Sequence, residues 1–190
     1  MNSFEFYTVL LSFVVSLGVA SLLQAVTRLI QDSTRVRFSL TWALWAAAIF
    51  NLQIVYWLRS WTYHEHFSLR TETSIPPLVL AIMAFIACGL ATPRIPEQGA
   101  IDLRDFHAKQ GRKYQIAYAA FMFMAIAQGI LMRDVGNDPA TIVTDSITQG
   151  IIALVAIACA VFPRQRWLQI GAPAVFLIAA VAYYGRLMEA

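Results

Sequence analysis

Asp145 is the residue in this chain best placed to do chemistry. It stands in PATIVTDSITQGIIALVAIACAVFPR, residues 139–164, whose second half is plain membrane-helix sequence. Thr141, Thr144, Asp145, Thr148 and Gln149 fall on one face of a helix, and a polar face of this kind avoids lipid by turning toward protein or a wet cavity. With Phe162 as the inner end of that helix, Asp145 lies ~26 Å above it at 1.5 Å per residue. Arg59, Arg133 and Arg186 reach the same layer: measured from Trp42, Tyr114 and Trp167 they stand ~26–28 Å up their own helices. Two arrangements follow. The arginines can snorkel to the outer headgroups while Asp145 sits in wet interface. Alternatively, Asp145 pairs with one arginine, Arg133 being closest in sequence, inside an outer polar vestibule that the remaining arginines make attractive to anions.

Other chemistry is sparse. No catalytic residues are identified, and no nucleophile motif or glycine-rich phosphate loop occurs. His64 and His66 are two apart, a spacing suited to a strand or loop, and Glu72 is a loose third ligand. The stretch reads as an exposed loop and no metal site is expected. His107 reads as an interfacial polar residue. Nothing identifies a cofactor.

These residues must be positioned by membrane helices. The chain has 190 residues, 59% hydrophobic and 13% charged, about half the charge fraction of a soluble domain. Its apolar residues form long blocks, and the mean hydropathy is +0.61. The expected fold is all-α: one transmembrane domain over 1–190, with six helices at about 4–30, 39–62, 76–93, 113–133, 139–162 and 167–188. Each is long enough to cross ~30 Å of hydrocarbon. Asn2 with Glu5, Pro76-Pro77 after Ser74, and Asp138-Pro139 supply start signals, and Pro93 and Pro163 supply stops. Helix one reads as a retained span, because its apolar block is too long for a signal-peptide core. Cys88 and Cys159 lie in apolar blocks and read as small core residues.

Connections 1–2, 3–4 and 5–6 carry ten Lys and Arg: Arg28, Arg35, Arg37, Arg94, Arg104, Lys109, Arg112, Lys113, Arg164 and Arg166. The opposite side carries four: Arg59, Arg70, Arg133 and Arg186. The richer connections are therefore expected in the cytoplasm and both termini outside. Trp42, Trp61, Tyr63, Tyr114 and Trp167 fall where interfacial aromatic belts are expected. A formal charge of +3, thinly scattered, argues against a nucleic-acid partner.

The connection at 93–113 can lie as a short helix on the inner membrane surface or extend span four. No Lys, Glu or His falls deep in any span. The mid-membrane polar groups are Asn51, Gln53, Gln128 and Gln24, with Ser12 and Ser16, able to hydrogen-bond between helices at about 0.5–2 kcal/mol each. Small residues line helix one at Ser12, Ser16 and Ala20, and helix five at Gly150, Ala153, Ala156 and Ala160. Pro173, with Gly171 beside it, predicts a kink or a non-helical turn near 169–173.

Three stretches, SLGVASLLQAVTRLI, FNLQIVYWLRSW and IDLRDFHAKQGRKY, resemble an uncharacterised family of small bacterial multi-span membrane proteins. The resemblance covers most of the first 115 residues and implies a bacterial inner-membrane location and a six-span layout; no activity transfers from it. This chain departs from the family pattern where Tyr56-Trp57 replaces a tryptophan pair and where Tyr114 is followed by Gln115 and Ile116.

The functional expectation is a non-enzymatic multi-pass protein of the inner membrane. Its partners are the lipid bilayer and either further copies of itself or other membrane subunits, so that it acts as a self-assembling or accessory subunit of a complex. The alternative is a channel or facilitative transporter for a small solute entered through the outer vestibule. Proton- or sodium-coupled transport usually needs a carboxylate at mid-depth, and none is present.

Overall fold

Backbone amides in hydrocarbon must bond within their own segment, so each apolar block is driven to form a helix. The computed structural model describes residues 3–60, 71–94, 99–131 and 139–189. It has α1 Ser3–Gln31, α2 Leu40–Ser60, α3 Thr71–Ala91, α4 Leu103–Leu131, α5 Pro139–Val161 and α6 Arg166–Glu189. All six are long and apolar enough to cross a membrane. α3 packs between α1 and α4, and α4 packs between α3 and α5. α5 touches α6, and α6 returns to α2. α2 also packs on α1, α3 and α4, which places it at the centre of the bundle.

Two helices begin earlier than their hydropathy indicates. α4 starts ten residues before 113, so the segment after Ile101 extends the helix instead of forming a separate surface helix. The cause is a cap: Asp102 Oδ1 accepts the backbone N–H of Arg104 at 2.9 Å and of Asp105 at 3.1 Å. Buried Leu103 anchors the new turn, and Lys109 reaches Asp105 at 2.7 Å. At 29 residues α4 is ~43 Å long, so its charged first third projects beyond ~30 Å of hydrocarbon. α3 starts at Thr71 and carries Pro76 and Pro77 inside it rather than at its start. One turn into the helix, the two prolines remove two N–H donors, a loss that membrane helices tolerate where neighbouring groups meet the freed carbonyls.

A short parallel pairing of β1 Val36–Arg37 with β2 Ile101–Asp102 ties connection 1–2 to connection 3–4 at one end of the bundle. Arg37 lies 3.7 Å from Asp102. Arg35 donates twice to the Gly99 carbonyl, at 3.0 and 2.8 Å. Gly99 has φ +98°, a backbone state that a side chain would strain.

Trp42 and Tyr114 do not face the interface as expected. Both are buried, and the Trp42 indole donates to the carbonyl of Ala91 at 3.0 Å, satisfying the end of α3. Trp167 is 91% exposed, where a belt residue belongs. Trp61 and Tyr63 lie outside the described residues. α6 stays helical through Pro173 instead of opening into a turn. Only the Gln169 carbonyl loses its usual donor, and Ala172, Pro173 and Phe176 are packed in the core.

α1 packs closely on α2 and α3 at Gly18. A Cβ there would stand 2.4 Å from Gln53 Nε2 and 3.4 Å from the Phe85 backbone. Gln53 is fully buried and its amide lies 3.4 Å from the Cys88 sulfur. Near the β-paired end, Gln115 donates to Gln169 at 2.6 Å, and Gln169 donates to the Cys159 carbonyl at 2.6 Å. These amides bond between helices, as mid-membrane polar groups must. Gln24 does not: it is exposed on α1, seven residues from the helix end.

Candidate functional site

The opposite end of the bundle, where α2, α4 and α6 finish and α1, α3 and α5 begin, holds a partly open cavity of about 180 Å³. All six helices contribute to its wall. At its charged end Arg59 Nη2 meets Asp145 Oδ2 at 3.1 Å, and each side chain is about a quarter exposed (27% and 28%). From Arg59 down to Leu52 the wall descends seven residues of α2, or ~10 Å.

The floor is aromatic. Tyr118 stacks on Phe176 with centroids 5.5 Å apart and planes at 7°. Trp45 lies edge-on to both, 5.9 Å from each. Tyr56, a wall residue, meets Phe121 edge-on at 5.8 Å and donates its hydroxyl to the Pro77 carbonyl. Tyr7, also in the wall, donates to the Ser74 carbonyl. Stacked and edge-on ring pairs of this kind add about 0.5–1.5 kcal/mol each beyond area burial.

Of the residues singled out in the sequence, Arg59, Asp145, Thr148, Gln149, Asn51 and Gln128 line this one cavity. Among the described residues Asp145 pairs with Arg59; Arg133, the arginine nearest in sequence, lies outside them, and of Arg186 only the helical backbone is described. Thr144 is exposed, outside the lining, and its carbonyl accepts the Thr148 hydroxyl at 2.9 Å. Asn51 Oδ1 accepts the Tyr184 hydroxyl at 2.8 Å. Gln53 and Gln24 are elsewhere. His64 and His66 lie outside the described residues, as does the Glu72 side chain. His107 is half-buried and bonds to Tyr114 at the far end.

The sequence reading passed over the aromatic wall. A signal was present: Tyr56 and Tyr118 fall inside the expected spans, three residues short of Arg59 and four beyond Tyr114, where a hydroxyl needs a partner or a polar space.

The arrangement provides a neutralised ion pair, several hydrogen-bonding groups and a ring-lined apolar floor. It can bind and orient a small molecule. Fold and cavity together define a multi-pass helical membrane protein with an interhelical cavity. Comparison with known proteins found no matching family model, no similar curated protein and no similar solved structure.

Proposed function

We propose that this chain is a non-enzymatic solute-binding protein of a bacterial inner membrane, a carrier or receptor whose interhelical cavity takes a small molecule from outside the cell. The cavity is the observation that carries this reading. Its floor is sealed by the Tyr118–Phe176 stack backed by Trp45, which fits a closed binding state better than an open pore. The orientation rests on the ten basic residues of the connections at the β-paired end, which favour the cytoplasm. It leaves both termini and the Arg59–Asp145 end outside. The bacterial location rests on the family resemblance alone.

A subunit whose role is assembly is the second reading, supported by small-residue faces, short loops and the lack of charge deep in the spans. On α5 that face is consumed internally: Ala153 and Ala156 are 0% exposed and Ala160 3%. On α1, Ser12 accepts the Trp57 indole at 2.9 Å, which leaves Ser16 and Ala20 as the outward small residues.

Native mass spectrometry of protein purified in mild detergent tests the choice. The wild type should carry a low-mass adduct, and Ala179→Trp, which fills the cavity, should lose it. A wild type free of any small molecule but bound to protein subunits in fixed stoichiometry would favour assembly.

A further inference from the structure

The polar groups facing the cavity indicate what it would hold. Arg59 and Asp145 are the charged residues among the described lining, and they neutralise each other at 3.1 Å. An anionic or cationic solute would have to break that pair or lie uncompensated against an aromatic floor, a costly burial either way. The site is therefore suited to a neutral solute.

It is also not purely greasy. Tyr118 is 4% exposed and lines the cavity, and its hydroxyl has no hydrogen-bond partner among the described residues. The Asn51 oxygen is used by Tyr184, which leaves its amide N–H groups without a partner among the described residues. The Gln149 amide is likewise unengaged there. The Tyr118 hydroxyl opens onto the cavity, where a water or a ligand can meet it. Size sets the remaining limit. At about 180 Å³ the space slightly exceeds the ~150 Å³ of an apolar cavity that admits benzene.

We infer that the cavity binds a neutral, single-ring molecule bearing one hydroxyl or carbonyl group, of the phenol class. The ring lies against the Tyr118–Phe176 floor, and its oxygen exchanges hydrogen bonds with the Tyr118 hydroxyl and the Asn51 amide. This rests on the solute-binding reading above and specifies its ligand.

Fluorine NMR on the full chain in lipid nanodiscs tests it with three probes: 4-fluorophenol, fluorobenzene and 4-fluorobenzoate, at about pH 7, where the phenol is neutral. Nanodiscs carrying Ala179→Trp hold the same lipid and subtract partition into the bilayer. The phenol should bind the wild type roughly 3- to 10-fold tighter than fluorobenzene, the contribution of one net hydrogen bond, and the benzoate should not bind above the Ala179→Trp background. Tyr118→Phe keeps the ring and removes the hydroxyl, so it should weaken the phenol by that factor and leave fluorobenzene unchanged. Equal binding of phenol and fluorobenzene, an indifferent Tyr118→Phe, or tightest binding of the benzoate would each overturn the ligand class while leaving a working cavity. If no probe exceeds background, the class is refuted. The solute-binding reading then falls with it only if native mass spectrometry also finds no adduct.

Discussion

Replacing Asp145 with Asn should destabilise the protein by about 1.5–2.5 kcal/mol, and the structure sets that range. Exposed ion pairs are worth about 0.2–1 kcal/mol, and stranding a fully buried charge costs about 3–5 kcal/mol. The Arg59–Asp145 pair is short, 3.1 Å, but each side chain is about a quarter exposed (27% and 28%), so it falls between these limits. Arg59 makes further interactions, so Arg59→Gln should cost at least as much. The double variant leaves no lone charge in the cavity wall. It should therefore recover about 1–1.5 kcal/mol of the summed single losses. The assay is thermal or denaturant unfolding in one detergent for wild type, both single variants and the double. Losses that add within about 0.5 kcal/mol would mean the two groups do not couple, and would refute the neutralised pair on which the cavity's electrostatics depend.

Gly18→Ala should cost about 1–3 kcal/mol of stability in the same unfolding assay, because the new methyl at 2.4 Å from Gln53 Nε2 forces the fully buried Gln53 side chain to repack. Gly89→Ala, with open space at its Cβ, should be neutral or stabilising by up to about 1 kcal/mol. Gln169→Leu strands the Gln115 amide and the Cys159 carbonyl and should cost about 1–2 kcal/mol, and adding Gln115→Leu should return part of it. The Asp102 carboxyl is held below its usual range, first by the Asp105 backbone N–H and then by the Arg104 N–H and the Arg37 and Arg104 charges, against an opposing effect of burial. A depressed carboxylate stabilises the fold above its unfolded value and loses that contribution as pH falls through the folded one. Amide hydrogen exchange in the first turn of α4 should therefore accelerate as pH drops below the ordinary carboxylate range, after correction for intrinsic exchange. Asp102→Asn should remove this dependence.

The six helices were legible because bilayer thickness demands long apolar blocks, and this chain has six. Two starts were misread for a shared reason. Hydropathy marks where a segment leaves lipid, whereas a helix ends where its backbone bonding ends. Asp102 caps α4 ten residues beyond the apolar block, and α3 runs past its proline pair. Asp145 stood out because a carboxylate in an apolar helix needs a reason. The Arg59 contact did not stand out, since closeness in sequence says little about which helices adjoin: Arg59 is 86 positions away. Trp42 and Tyr114 looked like belt residues because their depth was right, but only packing shows which way a ring turns.

The central claim is a cavity entered from outside beside Asp145, and accessibility of one wall residue tests it most directly. Gln149 lines the cavity one turn below Asp145, and Leu154, 62% exposed, lies on the outer face of the same helix, deeper in the span. Each is replaced singly by cysteine in a background lacking Cys88 and Cys159, and intact cells are treated with a small membrane-impermeant thiol reagent. Labelling of Gln149→Cys with Leu154→Cys left unmodified is the predicted result. A Gln149→Cys protein that stays unlabelled on intact cells, or reacts only from the cytoplasmic side of inverted vesicles, would contradict the account.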